Sequence, residues 1–141
     1  MELENKFKIY YLTAIFSLVF AVVGFSYNAW RMEVTEDNSN IRTAAFEVLK
    51  ELTALEQIIY SAHYDKDMVE GNPRKGWVKM GLIVDLSTLI NESVLIRADS
   101  LNQFWASNWE VMPDDRSVAD ELVLKIESVR AEIKKVLSEL Q

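Results

Sequence analysis

The stretch IYYLTAIFSLVFAVVGFSYNAW, residues 9–30, decides how the rest of the chain is read. It contains no charged residue and no proline. At about 1.5 Å per residue, a helix of this length crosses the roughly 30 Å hydrocarbon core of a bilayer. A cleaved secretory signal has a shorter apolar region, of about 7 to 15 residues, and a small-x-small cleavage site. Here the best cleavage position, after Ala29, puts Tyr27 where a small residue is required. No other segment is apolar enough to surround such a helix on all sides. The stretch therefore reads as an uncleaved transmembrane helix, with residues 1–8 as a short polar tail before it.

The ends of the stretch agree with that reading. Tyr10 and Tyr11 stand at one end, Tyr27 and Trp30 at the other, where amphipathic rings settle at headgroup level. Lys6 and Lys8 flank the first end, while Arg31 and the more distant Arg42 follow the second. The tighter clustering of Lys6 and Lys8 orients the N-terminus to the cytoplasm. The larger domain is then expected in the periplasm, with the anchor as a single pass through a bacterial inner membrane. Within the anchor, Thr13, Ser17, Ala21 and Gly24 recur at three- and four-residue steps. A face of small residues lets helices approach closely in lipid, and it predicts a homo-oligomer or another membrane protein as partner.

The chain has 141 residues, a formal net charge of −7 and no cysteine. Beyond the anchor about 110 residues remain, enough for one compact domain. An acidic domain is a poor partner for phosphate backbones, so no nucleic acid is expected. Without cysteine there is neither a disulfide nor a thiolate metal site. Only four glycines and two prolines interrupt a chain rich in Ala, Leu, Glu, Lys and Ile. That scarcity of breakers predicts an all-α fold, an antiparallel three-helix bundle of long helices behind one transmembrane helix.

The bundle occupies residues 31–141 in this reading. Its first helix covers about residues 40–66, with Ile41, Ala45, Val48, Leu52, Leu55, Ile59 and Ala62 as an apolar stripe. No proline or glycine separates it from the anchor, so the two helices are expected to run on or to bend mildly. Gly71 suits a helix C-cap, and Asn72-Pro73 supplies an N-cap followed by proline at the first helical position. The next helix is expected over 73–109, with Trp77, Met80, Ile83, Val84, Ile90, Val94, Leu101 and Phe104 facing the core. The last, over 117–141, starts from a Ser117 cap and carries Ala119, Leu122, Ile126, Val129, Ile133, Val136 and Leu140. A straight helix over 73–109 would bring its last turns back to the bilayer. Trp105 and Trp109 are therefore read as a second set of membrane-interface rings, or else as a plug for the base of the bundle. Arg97, between core positions, is expected to snorkel or to meet an acidic residue of a neighbouring helix such as Glu51 or Glu56. Asn91-Glu92-Ser93 reads as a coincidental glycosylation sequence inside a helix.

The densest polar cluster is HYDKDMVEGNPRK, at the end of the bundle away from the anchor. His63, Asp65, Asp67, Glu70, Arg74 and Lys75 form a candidate interaction site there. The spacing matches no strong metal pattern, and with one histidine no His pair exists. There is no G-x-S-x-G elbow and no Gly-rich phosphate loop. The chain is accordingly expected to be no enzyme, to carry no cofactor and no metal, and to work as an interaction protein at the membrane. Two alternatives remain. One is a sensor, since the layout resembles the helical ligand-binding bundles of bacterial chemoreceptors. That resemblance is architectural, without shared motifs, and implies signalling through a partner. The other is an oligomeric membrane effector, for which the uncharged anchor offers little in the way of an ion path.

Overall fold

The computed structural model describes residues 2–140. Four helices account for 118 of these 139 residues, and no strand occurs among the described residues. They are α1 (Glu2–His63), α2 (Pro73–Ser87), α3 (Glu92–Asn108) and α4 (Arg116–Glu139). The chain divides into two units, one ending at Asp37 and the other beginning at Asn38. Helix α1 supplies residues to both, without a cap or a break at the junction. The tail expected over residues 1–8 is helical from Glu2 onward, and Met1 lies outside the described residues. Good helix formers there, with Glu4 and Lys8 four apart in the favourable order, extend the helix.

In the second unit α1 ends at His63, three residues sooner than its pattern suggests. Lys66 takes a left-handed conformation (φ 54°), which costs a non-glycine residue about 1–2 kcal/mol and stops a helix. The loop then doubles back against α1. A Cβ on Gly71 would lie 2.4 Å from the backbone nitrogen of Ala62, so glycine is needed for this close approach. Asn72 caps α2 as expected, its Oδ1 accepting from the Arg74 amide at 2.9 Å, with Pro73 at the first position.

One expected helix is two. The segment 73–109 breaks into α2 and α3 at a tight turn over residues 88–91. Ser87 Oγ donates to the Ile83 carbonyl at 2.6 Å, and Thr88 Oγ1 donates to the Asp85 carbonyl at 2.6 Å. Such side-chain bonds compete with the helical ladder. Asn91 is extended (φ −167°, ψ 172°), and its Oδ1 accepts from the Val94 amide at 2.9 Å, while Glu92 sits in the first turn of α3. The Asn91-Glu92-Ser93 sequence is thus a helix start. Buried positions nevertheless keep their rhythm through the turn: Met80, Ile83, Ser87, Ile90, Val94, Ala98, Leu101, Trp105.

Helix α4 starts one residue before Ser117, at Arg116, because Asp115 is the cap. Its Oδ1 accepts from the amides of Ser117 (2.9 Å) and Val118 (3.3 Å) and from the Ser117 hydroxyl (2.6 Å). An ionised carboxylate serves a helix N-terminus better than a serine hydroxyl does.

Cross-links between helices fix an antiparallel bundle of four segments, not three. Arg42, Glu56 and Tyr64 of α1 and its following turn meet Leu140, Arg130 and Asp120 in reverse order. Along α3, Ser93, Arg97 and Ser100 meet Glu132, Ser128 and Lys125 of α4. Glu51 pairs with Lys79 between α1 and α2, and Gly76 of α2 lies against Trp105 of α3. The core between them is closed by Val48, Leu52, Leu55, Ile59, Met80, Ile83, Leu101, Leu122, Ile126 and Ile133. Of the expected core residues, Trp77 is exposed, while Ile41, Val84 and Phe104 pack against the core only partly buried. Trp77 is on the outer side of α2, edge-on to Trp105 at 6.4 Å between ring centres. Phe104 is half-buried beneath the Lys125 ammonium, 5.4 Å from the ring centre.

Candidate functional site

Two surfaces stand out, one in each unit. The first is the N-terminal part of α1. An 18-residue window there has a mean hydropathy of 2.0, and none of it is buried against protein. Phe20 is 72% exposed and Phe25 77%. Tyr10, Tyr11, Tyr27 and Trp30 are exposed at the two ends, the last two with ring centres 6.1 Å apart. Thr13 donates to the Ile9 carbonyl at 2.8 Å, so its hydroxyl is satisfied within the helix. A Cβ on Gly24 would meet nothing, and Ser17 and Ala21 are likewise exposed.

The expected second ring of membrane-interface tryptophans does not form. Trp105 is fully buried in the bundle core, and Trp109 is half-buried against it. Both sit at the end where α1 finishes, Trp105 beside Gly76, because the turn at 88–91 sends α3 back the way α2 came. The expectation relied on a straight helix over 73–109, and the chain reverses instead.

The second surface is the polar cluster at that same end. His63 Nδ1 lies 3.2 Å from the Met112 carbonyl and 3.1 Å from the Pro113 carbonyl. A carbonyl only accepts, so this nitrogen carries the proton and His63 ties α1 to the α3–α4 turn. Lys66 reaches the Pro113 carbonyl and, at 3.3 Å, Asp114. Asp67 accepts from the amides of Val69 and Glu70 at 2.9 and 3.2 Å and so closes its own loop. Glu70 pairs with Lys75 at 3.3 Å, whereas the side chains of Arg74 and Asp65 are exposed. The six candidate residues are therefore near neighbours with divided duties: His63 and Asp67 hold the backbone, and the others face solvent. Among the described residues no group of three or more His, Cys, Asp or Glu is placed to hold a metal ion.

No family model, curated protein or solved structure matches this chain. Function is read from the geometry.

The acidic partner of Arg97 is neither Glu51 nor Glu56. Arg97 pairs with Glu132 at 3.2 Å, while Glu51 takes Lys79 at 2.6 Å and Glu56 takes Arg130. Burial alone would push the Arg130 guanidinium down, but Glu56 and Glu127 outweigh it and hold it above its ordinary value. Ser93, donating to Glu132 at 2.8 Å, leads in lowering that carboxyl, with Lys135 and Arg97 assisting. The Ser117 hydroxyl, with the Val118 amide, lowers Asp115 in the same way. Tyr60, bonded to Glu56 at 2.9 Å, is raised by that bond first and by burial second.

These shifts set a pH profile. Asp115 and Glu132 add stability in full above their ordinary values of 3.8 and 4.5. That contribution is lost as pH falls through the lower folded values. Tyr60 adds stability below its ordinary 10.0, lost as pH rises through the raised value. Urea midpoints measured against pH should therefore fall off on both sides of a plateau. Asp115→Asn and Glu132→Gln together should flatten the acid limb and leave the alkaline limb in place.

Proposed function

We propose that the chain is a single-pass membrane protein whose N-terminal helix anchors a helical bundle. The bundle assembles at the membrane with copies of itself or with other membrane proteins, and it carries out no catalysis. One observation supports this above the rest: the apolar window of α1 has no part buried against protein. Monomeric soluble proteins rarely leave more than a few hundred Å² of contiguous apolar surface in water, whereas a bilayer accepts such a helix. Lys6 and Lys8 before the stretch favour a cytoplasmic N-terminus, with the bundle across the inner membrane. The assembly face is the line Thr13, Ser17, Ala21, Gly24, along which a second helix meets no bulky side chain.

The absence of native cysteine makes the test simple. Single cysteines at Ser17, Ala21 and Gly24, oxidised in native membranes, should give disulfide-linked dimers if the chain pairs with itself, or a discrete larger adduct with another protein. Cysteines at Phe16 and Val22 should link poorly. Equal linking at all five positions, or none at any, would refute assembly through this face. An impermeant maleimide applied to Glu4→Cys and Lys134→Cys in the same membranes should label only the latter from outside.

A further inference from the structure

A groove of about 590 Å³ runs between α1 and α2 within the second unit. Its wall is apolar along Ala54, Ile58 and Val78. Its far end carries Tyr60, Asp65 and Glu70. Charge pairing decides what it would accept. Lys79, at the lower edge, is held by the nearly buried Glu51 at 2.6 Å. Lys75 is held by Glu70 at 3.3 Å. The exposed Asp65 carboxylate has no hydrogen bond or ion pair among the described residues, so the groove, which Tyr60 also lines, has one uncompensated negative charge.

We propose that this groove binds a small primary alkylamine. Its ammonium lies between Asp65 and Glu70 near the Tyr60 ring, and its hydrocarbon chain runs along Ile58, Ala54 and Val78. An ammonium gains from the carboxylates and from the face of a tyrosine. The volume lies in the range of small-molecule sites, about 300–1,000 Å³. An anion of the same size would find both lysines already paired. The chain's net charge of −7 also favours a cation over a carboxylate. Lys75 is the ligand's competitor for Glu70.

The test uses the full chain, isotope-labelled in detergent micelles, titrated with pentylamine, pentanol and pentanoate and followed by amide chemical shifts. Pentylamine should shift the amides of Ser61, Asp65 and Val78 saturably, with a Kd on the order of 1 mM. Pentanol and pentanoate should bind at least about tenfold more weakly, a difference of roughly 1.4 kcal/mol. Asp65→Asn should weaken pentylamine several-fold, and Val78→Trp should block it. Lys75→Gln, by freeing Glu70, should tighten it several-fold. All three positions are exposed, so the variants keep the fold. Pentanol matching pentylamine, Asp65→Asn binding as the parent does, or Lys75→Gln gaining nothing would each overturn the proposal. None of these outcomes bears on whether α1 crosses a membrane.

Discussion

Arginine at both Phe20 and Val23 is expected to remove the chain from the carbonate-resistant membrane fraction. Each arginine near mid-bilayer costs about 2.5–3.5 kcal/mol on insertion scales, whereas a leucine or phenylalanine contributes only about 0.3–0.6 kcal/mol. Two arginines therefore oppose insertion by roughly 5–7 kcal/mol, comparable to everything the stretch supplies in its favour. Phe20 and Val23 are 72% and 61% exposed, so neither supports a protein core. The bundle should keep its thermal transition while its location changes. A core helix would behave in the opposite way, with the transition lost and no membrane fraction to leave. Retention of the double variant in carbonate-washed membranes would refute the anchor.

The second large effect belongs to Trp105. Trp105→Ala should cost about 3–5 kcal/mol of bundle stability, the usual range for an aromatic deleted from a core. A urea titration followed by circular dichroism reads this directly. The reciprocal change is at Gly76, where a Cβ would lie 2.3 Å from Cζ2 of the indole. Gly76→Val should cost about 1–3 kcal/mol through overpacking. The double variant should lose less than the two single losses added together, by about 0.5–3 kcal/mol, because the valine occupies space the ring has left. The indole Nε1–H is buried without an acceptor among the described residues. Trp105→Phe removes that donor, keeps a ring, and should lose less than half of what alanine loses. Strict additivity of the Gly76 and Trp105 changes would show that the two residues do not share this contact.

Much of the fold was legible in the sequence, and the reasons differ by element. The apolar stretch over residues 9–30 declares itself because nothing in it is ambiguous at any helical phase. Helix α4 was equally plain, since its stripe from Ala119 to Val136 is buried at every step. Asn72-Pro73 announced α2 through backbone chemistry alone. The α2–α3 turn escaped because periodicity reports which face is buried and not which way the chain is heading. Only Asn91, with Ser87 and Thr88 before it, carries the information, and Asn91-Glu92-Ser93 also fits a glycosylation sequence. The errors about Trp105, Trp109 and Arg97 descend from that turn. A straight helix would have put Trp105 and Trp109 at the wrong end of the bundle, and Arg97 beside α1 in place of Glu132. The polar cluster was found as a group, yet the groove was not, because it needs Val78 and Ala54 to come level across two helices. No spacing within either helix records that.

The unbroken rhythm from Met80 to Trp105 has a consequence for how this fold is kept to one chain. Were residues 88–91 to straighten, α2 and α3 would form a single rod presenting the same apolar face. The α3–α4 half could then close the core of a neighbouring copy, the exchange by which dimers arise at low cost. Hydrophobic burial is nearly indifferent to that choice. A few short-range polar bonds around Asn91 are what make the molecule self-contained.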